Sequence, residues 1–205
     1  MPNRKMREPA SRAALILAIV FFAALLFSRA LAAQETVVTL DPAQTHIDYT
    51  LGATLHTVHG TFQLKSGLVR FDPATGKASG AIIVDAASGT SGNDGRDSKM
   101  HKEILESQKY PEIIFTPAQI KGAINAQGPS QLEVSGTFRL HGGDHAFAIP
   151  VAVQMAGPQT TATSHFAIPY QKWGLKNPST FVLRVKDTVE IDVTIAGHIA
   201  PAAAK

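Results

Sequence analysis

The sequence predicts an all-β fold, a closed antiparallel barrel of about eight strands with one inserted helix. From residue 35 onward, apolar residues mostly recur at every second position, which is the period of strands with one buried face. Clusters of Gly, Pro, Asn and Asp separate these stretches at short intervals, as in an antiparallel meander rather than in βαβ units. A chain of 205 residues with 44% apolar residues is long enough to build one sizeable core.

Residues 1–32 predict a cleavable signal peptide. Basic residues precede an uncharged apolar run of 15 residues, Ala13 to Phe27, and Ala30-Leu31-Ala32 fits the small-x-small pattern of a cleavage site. The alternative is an uncleaved membrane anchor, but a spanning helix needs about 18 apolar residues and Arg29 closes this run. We therefore expect an exported protein without a permanent membrane anchor, whose single domain covers residues 33–205.

The surplus of positive charge lies in this N-terminal segment. The full chain has 19 basic and 16 acidic residues, for a net charge of +3. Removing residues 1–32 takes away five basic residues and Glu8, which leaves 14 basic against 15 acidic residues and a net charge of −1. No basic stripe remains, so a nucleic-acid partner is not expected. The chain has no cysteine, which excludes disulfides, thiolate metal sites and a cysteine nucleophile.

The alternation of apolar residues predicts successive strands along the rest of the chain. Turn sequences at Asp72–Gly76, Asn125–Pro129 and Gly142–Asp144 read as hairpin connections, because Pro, Asn and Gly suit their special backbone angles. The predicted strands are 37–40, 47–51, 58–64, 67–71, 80–86, 113–116, 131–140, 147–155, 162–168 and 189–195.

One segment breaks the two-residue period. Met100, Ile104 and Leu105 fall at helical spacing, and Asp97 or Ser98 could cap a helix before them. Pro111 lacks an N–H donor and restricts the residue before it, so it ends the helix. The pattern predicts a helix over 98–109.

A closed barrel explains how so many strands avoid exposed edges. Eight strands form an interior that can hold one small ligand, and Gly60, Gly80 and Gly136 suit the bends that closure requires. The segment 147–155 is apolar on both faces over part of its length, as expected of a strand between a lumen and a covering element. A two-sheet sandwich with a filled core is the alternative.

No catalytic motif is visible in the sequence. It contains no G-x-S-x-G elbow, no P-loop and no G-x-G-x-x-G, so we expect neither an enzyme nor a cofactor. His56 and His59 have an H-x-x-H spacing, but residues three apart on a strand face opposite sides. A periplasmic protein that handles a metal or a redox cofactor through His56, His59 or His141 is the rival hypothesis.

Arg96 and Trp173 are the two other residues of interest. Arg96 precedes the predicted helix, where it is either a solvated side chain or a cation at a pocket rim that holds a polar head group. Trp173 is the only tryptophan, and the pattern leaves open whether it packs in the core or lines a pocket mouth.

Several motifs follow one another between residues 36 and 197: Asp41 with Thr45-His46, Val58-His59-Gly60-Thr61-Phe62, Arg96-Asp97, Lys109-Tyr110-Pro111-Glu112-Ile113-Ile114-Phe115, Gly136-Thr137-Phe138-Arg139-Leu140-His141-Gly142, Trp173-Gly174-Leu175 and Val185-Lys186-Asp187-Thr188-Val189. In this order they resemble the YceI-like family of exported lipid- or polyisoprenoid-binding proteins with a lipocalin-like barrel. The sequence departs from the family pattern at Ile47, at residues 87–91 and in the turn after His141, which leaves the choice of ligand open.

The resemblance implies a periplasmic protein that binds a long-chain apolar ligand, such as a polyisoprenoid, a quinone-like isoprenoid or another amphiphilic lipid, inside the barrel. Arg96 and Trp173 would lie at the rim, and a homodimer could form through the final strand. A filled barrel that serves as an interaction module is the remaining alternative. Which set of alternate residues faces inward is not fixed by the pattern, because a shift of one residue reverses every side chain. The candidate ligand-binding residues are Tyr49, Leu51, Phe62, Phe115, Leu132, Phe138, Phe147 and Ile149.

Overall fold

The computed structural model describes residues 35–54, 56–125 and 128–202. The predicted signal peptide, residues 1–32, lies outside the described residues. Within them, no helix has the length and apolar content needed to cross a membrane.

The described residues form nine strands and one short α-helix. The helix, α1, spans Asp94–Lys99 and continues into one turn of π-helix at Met100–Ile104. A single 3-10 turn lies at Pro42–Gln44. The strands are β1 (Thr36–Leu40), β2 (His46–Gly52), β3 (Thr57–Phe71), β4 (Ala78–Thr90), β5 (Glu112–Lys121), β6 (Gly128–Leu140), β7 (Gly143–Ala156), β8 (Gln159–Ile168) and β9 (Val189–Pro201).

The strands form one antiparallel sheet that closes on itself. Both β1 and β2 pair with β3 on one side and with β9 on the other, so together they fill one position in the barrel. The closed barrel therefore has eight strand positions, which confirms the predicted fold class and excludes the two-sheet sandwich.

The break between β1 and β2 is organised by Asp41. Its carboxylate accepts hydrogen bonds from the Ala43 amide at 2.9 Å and the Gln44 side-chain amide at 2.6 Å. These two bonds, with that from Gln44 first, hold the pKa of Asp41 below its usual value. Pro42 has no N–H to contribute to a ladder, so the chain leaves the sheet for one turn and then rejoins it.

Strand β9 has no free edge. It pairs with β8 along one side and with β1 and β2 along the other. The final strand therefore cannot pair with its copy in a second molecule, as the sequence analysis suggested for a homodimer. The homodimer itself stays a prediction.

Register shifts within β3 and β5 explain where the predicted strand boundaries were wrong. The separate strands expected at 58–64 and 67–71 are one strand, β3, with an irregularity between Leu64 and Ser66. An irregularity of this kind adds a residue to one strand, so the inward-facing set changes from even to odd positions. Strand β5 has a similar shift between Pro117 and Gln119, where its inward-facing set changes from odd to even positions.

The predicted helix exists, but its predicted bounds of 98–109 are wrong at both ends. Asn93, not Asp97 or Ser98, caps α1 by accepting a hydrogen bond from the Arg96 amide at 3.0 Å. The helical stretch ends at Ile104 with Leu105 as its C-cap, and Glu106 then takes a positive φ of 48° well before Pro111. The apolar spacing located the helix, whereas its ends depend on side-chain hydrogen bonds that spacing does not reveal.

Candidate functional site

The barrel encloses an elongated apolar cavity of about 520 Å³. This volume is within the range of small-molecule sites in proteins, roughly 300 to 1,000 Å³. Residues from every strand contribute to its wall, because the side chains that alternate inward along each strand all point into the same interior. The interior is therefore a space that a ligand can occupy and not a filled core.

Seven of the eight residues predicted to bind the ligand lie on the cavity wall: Tyr49, Leu51, Phe62, Phe115, Leu132, Phe138 and Ile149. Phe147 also points inward but is not part of the wall. It packs between Phe138, Phe166 and Trp173, with ring centroids at 6.0, 5.8 and 5.4 Å. Contact between any of these residues and a ligand stays a prediction.

The cavity wall contains many residues that were not among the predicted ligand-binding residues. Ile82, Val84, Ile191 and Val193 line the cavity, and their positions in the predicted strands at 80–86 and 189–195 were a signal that could have identified them. The connection between β8 and β9 also contributes Pro178, Leu183 and Val185, for which the sequence gives no periodic signal because the segment is not a strand.

The charged residues of the cavity wall lie at one end of the barrel. Because neighbouring strands are antiparallel, the connections 53–56, 91–111, 141–142 and 169–188 all lie at the same end, here called the helix end. Among the described residues, the charged side chains on the cavity wall are Arg96, Asp97 and Lys99, all from this end. The cavity therefore joins a long apolar interior to one charged mouth.

Asp97 is held by the end of strand β4. Its Oδ1 accepts hydrogen bonds from the Ser91 amide at 2.8 Å and the Ser91 hydroxyl at 2.6 Å, and its Oδ2 accepts one from the Thr90 hydroxyl at 2.9 Å. Burial opposes ionisation, but the bonds from Ser91 and Thr90 outweigh it and lower the pKa of Asp97. Asp97 is thus an anion that fixes the β4 end instead of capping α1.

Arg96 is directed along the same segment. Its Nε donates to the Ser91 hydroxyl at 3.1 Å, and its Nη2 donates to the Ser91 carbonyl at 3.3 Å. A guanidinium has five N–H donors, so donors remain after these two bonds. The structure places Arg96 at the charged mouth, while its contact with a head group stays a prediction.

Two tyrosines add neutral hydroxyl groups to the wall. Burial raises the pKa of Tyr49, and the nearby charge of Asp97 adds to the effect. Burial likewise raises the pKa of Tyr170 to about 12, and its hydroxyl donates to the Lys186 carbonyl at 2.6 Å. Both phenols stay uncharged at neutral pH and can face an apolar ligand without a buried charge.

Trp173 belongs to an aromatic cluster beside the cavity. Its ring stacks on His145 at 4.3 Å with an interplanar angle of 1°, and it lies 5.5 Å from Phe138. Trp173 is partly buried in the connection between β8 and β9 and is not on the cavity wall. A role of Trp173 at the rim stays a prediction.

The histidines of the rival hypothesis are spread over different environments. His56 lies on the cavity wall, whereas His59 is exposed on the outer face, with its Nδ1 at 3.1 Å from the Thr50 hydroxyl. His141 packs against Tyr110 and has its Nε2 at 3.3 Å from Glu106. Within 35–54, 56–125 and 128–202, no group of three or more His, Cys, Asp or Glu side chains is arranged to hold a metal ion.

Comparison with known protein families gives one match that spans most of the chain. The family model of the YceI-like domain matches residues 38–196. The chain belongs to the YceI-like family. A comparison with curated proteins found no significant relative.

Several solved structures share the YceI-like fold at low sequence identity. BcnA of Burkholderia cenocepacia has a TM-score of 0.63 at 20% identity, covering 78% of this chain and 99% of its own. A polyisoprenoid-binding domain from Saccharophagus degradans has a TM-score of 0.59 at 16% identity, covering 80% and 98%. The YceI protein of Campylobacter jejuni has a TM-score of 0.56 at 16% identity, covering 71% and 86%. At these identities the likeness supports the fold alone.

The Lys109–Phe115 motif and the Gly136–Gly142 motif of this YceI-like chain meet at the helix end. Tyr110 from the Lys-Tyr-Pro motif lies against His141 from the Gly136–Gly142 motif, with ring centroids at 4.5 Å. Gly142 has a positive φ of 77°, and a Cβ at this position would lie 2.6 Å from the Tyr110 ring. The two motifs therefore pack the β4–β5 connection against the β6–β7 turn.

Proposed function

We propose that this protein binds a long-chain apolar or amphiphilic lipid of the polyisoprenoid type inside the barrel, and thereby carries or sequesters it. The observation that supports the proposal is the apolar cavity of about 520 Å³, whose charged wall residues all lie at one end. Shielding apolar surface from water contributes about 25 cal/mol per Å², so a long chain gains affinity from area alone. The polyisoprenoid-binding description of the Saccharophagus degradans domain supports this class of ligand.

The position of the charges favours one orientation of the ligand. Its apolar tail would extend between the strands, and its polar head would lie near Arg96, Lys99 and the Ser91 hydroxyl. Arg96 would donate from the part of its fork that Ser91 does not use.

Binding of this kind needs no reactive group, so the proposal is for a carrier or store and not for an enzyme. The N-terminal segment supports export to the periplasm, with residues 33–205 as the working domain.

The experiment compares Phe62→Asp with Thr61→Asp in the purified mature protein. Phe62 lies on the cavity wall, and Thr61 is its exposed neighbour on the outer face of β3. We expect wild type and Thr61→Asp to take up a fluorescent C16 fatty-acid probe, and Phe62→Asp to lose uptake, because an unpaired carboxylate in the apolar wall is unfavourable.

Native mass spectrometry followed by organic extraction checks whether the protein purifies with an apolar ligand. Absence of both a ligand and probe uptake would contradict the proposal, and unchanged uptake by folded Phe62→Asp would contradict the assigned cavity. Metal analysis of the same sample tests the histidine hypothesis, for which a stoichiometric metal is the expected result.

A further inference from the structure

The connection between β8 and β9 presents two apolar side chains to solvent. Phe181 is 97% exposed and Val182 is 73% exposed. Across the part of the chain that the structure describes, the only other exposed large apolar side chain is Leu68, which lies on the outer face of β3 and is 36% exposed. An adjacent aromatic and aliphatic pair at this exposure is unusual, because burying either side chain would be favourable.

Hydrogen bonds hold this pair, here called the Phe181–Val182 tip, at the end of a tight turn. The Thr180 amide donates to the Leu183 carbonyl at 2.8 Å, and the Leu183 amide donates to the Thr180 hydroxyl at 3.1 Å. Below the turn, the Val185 amide donates to the Ser179 hydroxyl at 2.8 Å. The exposure is therefore part of an organised turn.

The tip lies at the mouth of the cavity. Thr180 and Leu183, on either side of the tip, both line the cavity wall, while Phe181 and Val182 do not. The connection is also tied to the β2–β3 hairpin, because the Thr54 amide donates to the Arg184 carbonyl at 2.8 Å. A surface that binds the tip would therefore face the opening of the barrel.

Three cationic residues lie in the same segment as the tip. Lys176, Arg184 and Lys186 are exposed, and the one acidic residue between 176 and 187 is Asp187, which is exposed at the far end of the segment. Apolar side chains flanked by cations match the boundary of an anionic bilayer, where apolar groups enter the acyl region and cations meet the lipid head groups. The charge and the apolar character thus indicate the same partner.

We propose that the Phe181–Val182 tip docks the barrel on an anionic lipid bilayer, with the cavity mouth facing the membrane. The inference rests on the proposed function, since a lipid that enters or leaves the cavity would then pass directly between the mouth and the bilayer. It adds a docking surface that the cavity alone does not require.

Vesicle sedimentation tests the docking surface. Wild type should sediment with phosphatidylglycerol-containing vesicles, and less so with pure phosphatidylcholine or at high salt. The double variant Phe181→Ser/Val182→Ser should bind anionic vesicles at least about tenfold more weakly, since it loses the apolar area that enters the bilayer. Lys176→Gln/Arg184→Gln should lose the preference for anionic vesicles.

Leu68→Ser, at an exposed apolar position on the outer face of β3, is the matched control and should bind vesicles as wild type does.

Uptake of the C16 probe in vesicle-free solution separates this inference from the proposed function. Normal uptake by the tip variant with lost vesicle binding supports the docking surface. Equal vesicle binding by wild type and the tip variant would overturn the docking surface. So would a tip variant that changes only the monomer–dimer equilibrium, because the partner of the tip would then be a second copy of this chain. Vesicle binding without any probe uptake would contradict the proposed function and leave the docking surface standing.

Discussion

Asp97 shows how one side chain stabilises the charged mouth. It accepts three hydrogen bonds from Thr90, the last residue of β4, and from Ser91, which follows it, and the Ser91 hydroxyl in turn accepts one from Arg96. The charge of Asp97 therefore positions the cation that we propose to meet the ligand. Removing the charge should loosen the β4 end without altering the apolar wall.

The stability contributed by Asp97 should depend on pH. Its pKa is lowered in the folded protein, so its contribution is fully present above the unfolded pKa near 4 and is lost as the pH falls through the folded value. Asp97→Asn should lower the free energy of unfolding by about 1 to 2 kcal/mol at pH 7, and by less below about pH 4.

Urea titrations at pH 7 and pH 3.5 measure this difference. Asp48→Asn, at an exposed aspartate on the outer face of β2, is the control and should show little effect at either pH. A deficit in Asp97→Asn that is the same at both pH values would contradict the assigned role.

Arg96 should discriminate between ligand head groups. Its remaining donors can form charge-assisted bonds to an anionic head, but such a bond at an exposed site is worth only about 1 kcal/mol. Arg96→Gln should therefore bind a C16 carboxylate about fivefold more weakly, with little change for its methyl ester. Probe displacement measures both affinities.

Lys102→Gln is the control, because Lys102 is an exposed cation in the same connection but is not on the cavity wall. If Arg96→Gln lost equal affinity for the acid and the ester, a head-group role for Arg96 would be excluded.

At the scale of elements, the close approach of β5 and β6 depends on Gly136. This residue pairs with Pro117, next to the register shift of β5. A Cβ at position 136 would lie 2.2 Å from the Thr116 carbonyl oxygen and 2.9 Å from the Pro117 Cα, and neither backbone atom can easily move away. The glycine permits the sheet to bend here.

Gly136→Ala should consequently destabilise the barrel by about 1 to 3 kcal/mol, through a backbone clash. Gly95→Ala in α1 is the matched control, because its Cβ would meet only the Asn93 side chain at 3.5 Å. Alanine favours a helix by up to about 1 kcal/mol, so the control should be neutral or more stable. Chemical unfolding compares the two, and equal stabilities of both variants would show that β5 can retreat from β6.

The elements also show what a sequence pattern can predict. Alternation located nearly all the strands, because inward residues such as Ile47, Tyr49 and Leu51 repeat at the period of the pleat. It could not join the predicted strands of β3, nor show that β1 and β2 share one position, because bulges and collinear strands are defined by partners distant in sequence. The wall residues of the β8–β9 connection were missed because that segment is not a strand and has no periodic signal.

At the scale of the whole molecule, closure of the sheet turns the inward faces of all strands into one continuous surface. No single strand defines the site, and the fold that gives every strand position a partner on both sides also encloses the cavity. Ligand binding and global stability should therefore be linked, because unfolding of any part of the barrel removes the cavity wall.

A series of saturated fatty acids from C8 to C18 tests this linkage. A ligand that binds only the folded protein stabilises it by about 2.7 kcal/mol at a free concentration of 100 Kd. Each additional buried CH2 contributes about 0.8 kcal/mol, so the stabilisation at a fixed concentration should rise with chain length until the tail outgrows the cavity, and then level off. The midpoint of urea unfolding should shift accordingly, with little change in the slope of the transition.

Phe62→Asp is the control and should show no dependence on chain length, because its cavity wall no longer accepts the tail. A midpoint in wild type that stays constant across the series would mean that the interior does not admit the chain, whereas a rise without a plateau would mean that the tails bind outside a cavity of limited size.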